Sequence, residues 1–204
     1  MVKLNRDFYN RDTLIVAKEL LGKVLIHNTD GNILSGKIVE VEAYKGISDK
    51  AAHSYKGRRT KRTEVMYGIP GISYVFMIYG MYNCFNVITE KQGIPNAVLI
   101  RALEPLDNLN TLALNRFNKP YDELSKYQIK NLTNGPGKLC SALSIDRSAN
   151  KLDLCKDELY ISDNSINNFE IESSKRIGID YAEEAKDYPW RFFIKNNIYV
   201  SKNK

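Results

Sequence analysis

The chain has 204 residues, 43% hydrophobic and 26% charged, which supports one sizeable core and argues against long disorder. No apolar run has membrane-spanning or signal-peptide form, and three widely spaced cysteines with only His27 and His53 make no zinc-ligand pattern. A net charge of +6 permits a polyanionic partner without requiring one.

Asp12-Thr13 reads as a helix N-cap, and Leu14, Ala17 and Leu21 follow at helical spacing until Gly22. A strand is expected over Lys23 to Asn28, and Asp30-Gly31 is a hairpin dipeptide. It leads into GKIVEVEAY, residues 36–44, which alternates as a strand. A period of two places Ile38, Glu40, Glu42 and Tyr44 on one face and Val39, Val41 and Ala43 on the other. Two carboxylates on one strand face fit surface decoration, a salt-bridge pair or a catalytic site equally well. A polar loop follows, then a hairpin with arms ISYVFMI and YNCFNVIT and a Tyr79-Gly80-Met81 tip, then the strand AVLIRAL. Residues from Asp107 to about Lys130 are helix-compatible, LTNGPGKL is turn chemistry, and a short helix runs through Cys140 to Leu143. The last third holds strand-like pieces in ELYIS, SKRIGI and RFFIKNNIYVS. Strands in runs with grouped helices predict an α+β domain rather than a doubly wound parallel sheet.

Several side chains are out of place for pure scaffolding. Lys56, Arg58, Arg59, Lys61 and Arg62 crowd one loop in which every ionised residue of KGRRTKR is positive. Such a loop is ordinarily a solvated surface, but it can also neutralise phosphates. Tyr74, Phe76 and Ile78 share a face of the first hairpin arm, as core residues do. Tyr79 at the tip is poorly placed for burial and has the form of a wedge that unstacks bases. Asn86 and Arg101 are polar groups inside apolar strands, and a buried arginine needs a partner, for which a carboxylate of GKIVEVEAY is the obvious candidate. His53 by itself reads as a hydrogen-bonded structural histidine.

The segments VEVEAYKGISDKAAHSYKGRRT, MYGIPGISYVFMIYGMYNCFNV, AVLIRALEP and LTNGPGKLCSAL resemble, in order and over nearly the whole chain, the alkyladenine (3-methyladenine) DNA glycosylase family. This is the type not built on the helix-hairpin-helix fold, and RIGI and PWRFFI match its C-terminal strands. The resemblance implies one catalytic domain over residues 1–204, a curved, largely antiparallel sheet flanked by helices, and a protruding hairpin that inserts into DNA. By position it implies that Glu42 activates the attacking water, with Arg101 and the backbone carbonyl of Ile177 holding it. Tyr44, His53 and Phe76 would sandwich the extruded base, Asn86 would exclude guanine, and Tyr79 would fill the gap in the duplex. Arg58, Thr60, Met66, Met81, Tyr82, Lys138 and Arg147 fall at positions that line the DNA.

The implied reaction is removal of alkylated or deaminated purines (3-methyladenine, 7-methylguanine, hypoxanthine, ethenoadenine) from duplex DNA without strand cleavage. No cofactor or metal is expected, nor a membrane; the expected state is a cytoplasmic monomer, nucleoid-associated if bacterial. Phe76 departs from the tyrosine of vertebrate members, keeping the stacking face and losing a hydroxyl. The alternative is a non-catalytic nucleic-acid-binding module that uses the same basic loop and aromatic wedge.

Overall fold

Local signals start the fold where the sequence places them. The structure, a computed structural model, describes residues 2–29, 31–164 and 168–201. After β1 (Val2–Lys3) and the single turn α1 (Arg6–Tyr9), the Asp12 carboxylate accepts the amides of Leu14 and Ile15 and starts α2 (Thr13–Leu20). A cap of this kind is worth about 1 kcal/mol. Gly22, at φ +82°, turns the chain into β2 (Val24–Thr29), which pairs with β3 (Asn32–Tyr44). Gly31 has the positive φ of a hairpin residue; Asp30 lies outside the described residues.

The polar loop after β3 forms three 3-10 turns, Gly46–Ser48, Tyr55–Gly57 and Glu64–Tyr67. Next come the hairpin β4 (Ser73–Ile78) and β5 (Tyr82–Thr89), then β6 (Asn96–Pro105). Three helices follow, α3 (Leu109–Phe117), α4 (Lys126–Lys130) and α5 (Pro136–Ala142), the last opened by proline in its first turn. The chain then adds β7 (Leu159–Asp163), β8 (Ile171–Ser174) and β9 (Arg191–Ile194).

Among the described residues nine strands join one open sheet: seven follow the order β1-β7-β2-β3-β6-β5-β4, β9 branches from β3 and β8 pairs with β9, and every pairing is antiparallel. This is the expected α+β architecture. On one side β3 pairs with β6 from Gly36 to Tyr44; on the other it pairs first with β2, from Asn32 to Lys37, and then, at Glu40 to Glu42, with β9. The strand therefore lies at a fork of the sheet, and both glutamates sit in the forked half. The α2 and α5 helices pack on β3 and β5, enclosing Val41, Ala43, Phe85, Ile100 and Leu139 in the main core.

Two sequence expectations need correction. Alternation along GKIVEVEAY is interrupted, because the β3–β6 register slips on both sides of Glu40. Ile38 is buried in the main core, as are Val39, Val41 and Ala43. SKRIGI is not a strand beyond Ser174. Gly178 takes φ +77°, and the Arg176 side chain is drawn inward to a buried ion pair with Asp49, so the segment runs as an irregular loop.

Candidate active site

Strand register builds the site. Tyr74 lies opposite Asn86, Asn86 opposite Leu99, Leu99 opposite Glu42, and Glu42 opposite Arg191, which makes one row across β4, β5, β6, β3 and β9. Phe76 pairs with Cys84 one step along the hairpin.

Glu40 and Glu42 are both fully buried, yet their partners differ. Glu40 Oε1 accepts Arg101 Nε at 3.0 Å and Arg191 Nε at 2.7 Å, while Oε2 accepts the Ser201 amide and hydroxyl. Burial alone would raise the Glu40 carboxyl, but the two arginines and Ser201 outweigh it and hold it below the ordinary range. Glu42 is bound by groups that themselves border a cavity. Tyr44 Oη donates to Oε2 at 2.8 Å and the Ile177 amide to Oε1 at 2.7 Å, with Arg101 Nη1 3.3 Å from Oε1. Burial and the neighbouring carboxylate push the Tyr44 phenol well above its usual value, so it stays a donor.

The cavity, about 450 Å³, is lined by Tyr44, His53, Phe76, Asn86, Arg101 and Ile177, in the size range of small-ligand sites, roughly 300–1,000 Å³. His53 and Phe76 meet edge to face with ring centroids 4.6 Å apart, and His53 Nδ1 lies 2.9 Å from Tyr74 Oη. Burial, then Arg62 and Arg58, depress His53 to about 4, leaving it neutral at physiological pH. Asn86 donates to the backbone carbonyls of Tyr74 and Cys84, which fixes its amide against the hairpin wall. Burial raises the Cys84 thiol to about 11, so it is an uncharged wall group.

At the cavity mouth the hairpin tip inverts the usual burial rule. Tyr79 is 85% exposed and Met81 67%, and Met77 and Tyr82 extend the apolar ridge. Tyr79 holds φ +53° and Gly80 +70°; a non-glycine residue there costs roughly 1–2 kcal/mol. Beneath the ridge, Gly137 packs so closely on Tyr82 that a Cβ would meet the Tyr82 Cβ at 2.9 Å. This contact seats α5 and half-buried Lys138 beside the hairpin; Lys138 Nζ donates to Asn131 and Asn134. Arg58 and Thr60 are exposed and line a neighbouring cleft, and Arg147 is exposed in a 3-10 turn packed on β4. Met66, at 2% exposure, lines the cavity rather than the outer surface.

Residues 7–198 match the family model described as methylpurine-DNA glycosylase. The chain belongs to this family. It is 61% identical over 201 residues to a protein of Desulfitobacterium hafniense (strain Y51) named "Putative 3-methyladenine DNA glycosylase", covering 98% of this chain and 99% of that one. Proteins of the same name from Clostridium novyi (strain NT) and Clostridium acetobutylicum are 61% and 60% identical, over 99% and 98% of this chain and 100% and 98% of theirs. Family membership makes the chain a DNA glycosylase, a base-excision-repair hydrolase with DNA as its substrate.

In this glycosylase several site residues escaped sequence reasoning. Arg176 and Asp49 form a fully buried pair, with Arg176 also donating to the Ala43 and Ala185 carbonyls and lying 4.7 Å over the Tyr44 ring. Arg191 anchors Glu40 from β9. Tyr74 reads as ordinary core from its alternation yet lines the cavity and contacts His53. The basic loop is not uniformly available to phosphates: Arg59 pairs with Glu64, and Arg62 turns onto Phe76 at 4.9 Å. For Asp49, Arg176 and Arg191 the only sequence signal was a charged residue inside a matched segment. Among the described residues no helix is long and apolar enough to cross a membrane.

Proposed function

We propose that the chain acts as a single catalytic domain that extrudes an alkylated or deaminated purine from duplex DNA and hydrolyses its glycosidic bond. The substrates would be 3-methyladenine, 7-methylguanine, hypoxanthine and ethenoadenine. The observation that carries the reading is the buried Glu42 carboxylate, held by Tyr44, Ile177 and Arg101, all three of which line one cavity. Glu42 takes a proton from a water that adds to the anomeric carbon as the base departs with the bonding electrons. Arg101 and the Ile177 carbonyl position that water. The Ile177 amide donating to Glu42 supports the role by fixing the loop against the carboxylate.

Extruding a nucleotide costs a few kcal/mol, and Tyr79 offsets this by filling the vacated stack, with Met81 and Tyr82 against the groove. The freed base lies among Tyr44, His53 and Phe76, with Asn86 crowding an exocyclic amine of guanine. A cationic purine gains roughly 0.5–2 kcal/mol from an aromatic face. Arg58, Thr60, Lys138 and Arg147 track the strand. Met66, in the cavity wall, contacts the base rather than the backbone. Among the described residues no lysine lines the cavity, which favours base removal without strand cleavage. The protein would work as a cytoplasmic monomer, nucleoid-associated if bacterial.

Single-turnover assays on duplexes carrying each lesion test this. Wild type yields abasic product, and Glu42→Gln lowers the rate by about 10²–10⁴-fold while keeping lesion-duplex affinity. A Glu42→Gln rate within tenfold of wild type would remove Glu42 from the role of base.

A further inference from the structure

We infer that Arg62 is the group that stabilises the departing base when the lesion is a neutral purine, and that it thereby sets the balance between neutral and cationic substrates. This rests on the base pocket proposed above. A cationic purine leaves as a neutral molecule and needs little help. A neutral one such as hypoxanthine leaves with the electron pair of the C1′–N9 bond as a purine anion, unless positive charge or a proton meets it.

The pocket supplies few candidates. His53 is neutral, its value depressed to about 4 by burial and by Arg62 and Arg58. The Tyr44 hydroxyl is committed to Glu42, and Cys84 is a weak acid at about 11. Arg101 is engaged by Glu40 and Glu42. Arg62 differs from all of these. It lines the cavity, its guanidinium sits 4.9 Å over the Phe76 ring, and among the described residues no carboxylate forms a salt bridge with it. The other aromatic wall is backed by a guanidinium too, since Arg176 lies over Tyr44, but that charge is matched by Asp49. Arg62, exposed at the cavity's edge and hydrogen-bonded with the Tyr74 side chain, is therefore the cavity-lining cation that, among the described residues, no carboxylate pairs.

A purine that enters against Phe76 meets this guanidinium. Its N–H groups are donors to the purine nitrogens and O6, where negative charge grows as the bond breaks. The balance is simple: water gives its hydroxide to C1′ and its proton to Glu42, the bonding pair goes to the purine, and Arg62 stays protonated throughout. The departed anion then takes a proton from solvent. For a cationic purine the same charge opposes binding.

The test compares single-turnover rates on hypoxanthine and 7-methylguanine duplexes, with enzyme saturating, for wild type, Arg62→Gln and Arg62→Lys. Arg62→Gln should lower the hypoxanthine to 7-methylguanine rate ratio by at least about tenfold, with 7-methylguanine excision rising. Arg62→Lys should hold the ratio near that of wild type. An unchanged ratio, whether both rates fall together or neither moves, would overturn the inference, as would Arg62→Lys behaving like Arg62→Gln. Wild type that removes 7-methylguanine but not hypoxanthine overturns it while the proposed function stands. Wild type that removes neither base overturns both.

Discussion

The buried row around Glu40, Glu42, Arg101 and Arg191 and the exposed hairpin tip around Tyr79 break the same rule in opposite directions. The row takes charges out of water, and each is held by opposite charge and hydrogen bonds. The tip leaves Tyr79 and Met81 in water, with a strained φ at Tyr79. Charge can be buried where partners from β3, β6 and β9 converge, because the desolvation penalty is then met locally. Apolar surface left exposed has no such internal partner, and its compensation has to come from a ligand. The row thus explains itself within the fold, and the tip does not.

Removing one acid should separate these two kinds of deviation most strongly. Glu40→Ala leaves Arg101 and Arg191 buried beside each other without their shared carboxylate, and should destabilise the protein by about 3–5 kcal/mol. Urea denaturation reads this as a lower midpoint, and a loss under 1 kcal/mol would mean that Glu40 is not the keystone of the row. Glu42→Gln keeps shape and most hydrogen bonds, so its loss should appear in excision rate far more than in stability.

The tip should behave in the reverse way. Tyr79→Ser removes exposed surface that nothing in the protein covers, so stability should stay within about 0.5 kcal/mol of wild type. Affinity for a lesion duplex should drop by about tenfold, since unstacking a base step costs a few kcal/mol and the wedge offsets part of it. Fluorescence anisotropy with labelled duplexes checks it. Unchanged affinity would return Tyr79 to ordinary surface and remove the contrast.

The two regions also differ in how far they could be read from sequence. The hairpin was legible because its signals are local: alternating arms, a glycine at the turn, an aromatic where burial is impossible. The presence of Glu42 and Tyr44 on a strand was legible for the same reason. The row was legible only in part, since its closing contacts join residues far apart in the chain. Arg176 reaches Asp49 across 127 positions and Arg191 reaches Glu40 across 151, and no short-range period encodes either. The register slip around Glu40 is likewise a property of the paired strands, not of GKIVEVEAY alone. RIGI misled for a related reason: its apolar alternation is real, but a distant aspartate draws Arg176 inward and Gly178 bends the backbone.

His53 stands where the two regions meet, and it yields the smallest and most specific effect. Its imidazole is packed against Phe76 and bonded to Tyr74, with Arg62 and Arg58 as the charges facing it. Burial first, then the two arginines, lowers its value from 6.5 to about 4 in the folded protein. Between those values the unfolded chain holds a proton that the native protein excludes, so stability rises with pH across this window and falls as pH drops from 6.5 toward 4. From pH 7 to pH 5.5 the loss from this group is about 1 kcal/mol. His53→Leu should remove that component of the pH dependence, measured as the change in urea midpoint between the two pH values. A variant with the same slope as wild type would show that the native protein tolerates a protonated His53 in its folded state. The neutral cavity wall beside the exposed Arg62 would then be lost.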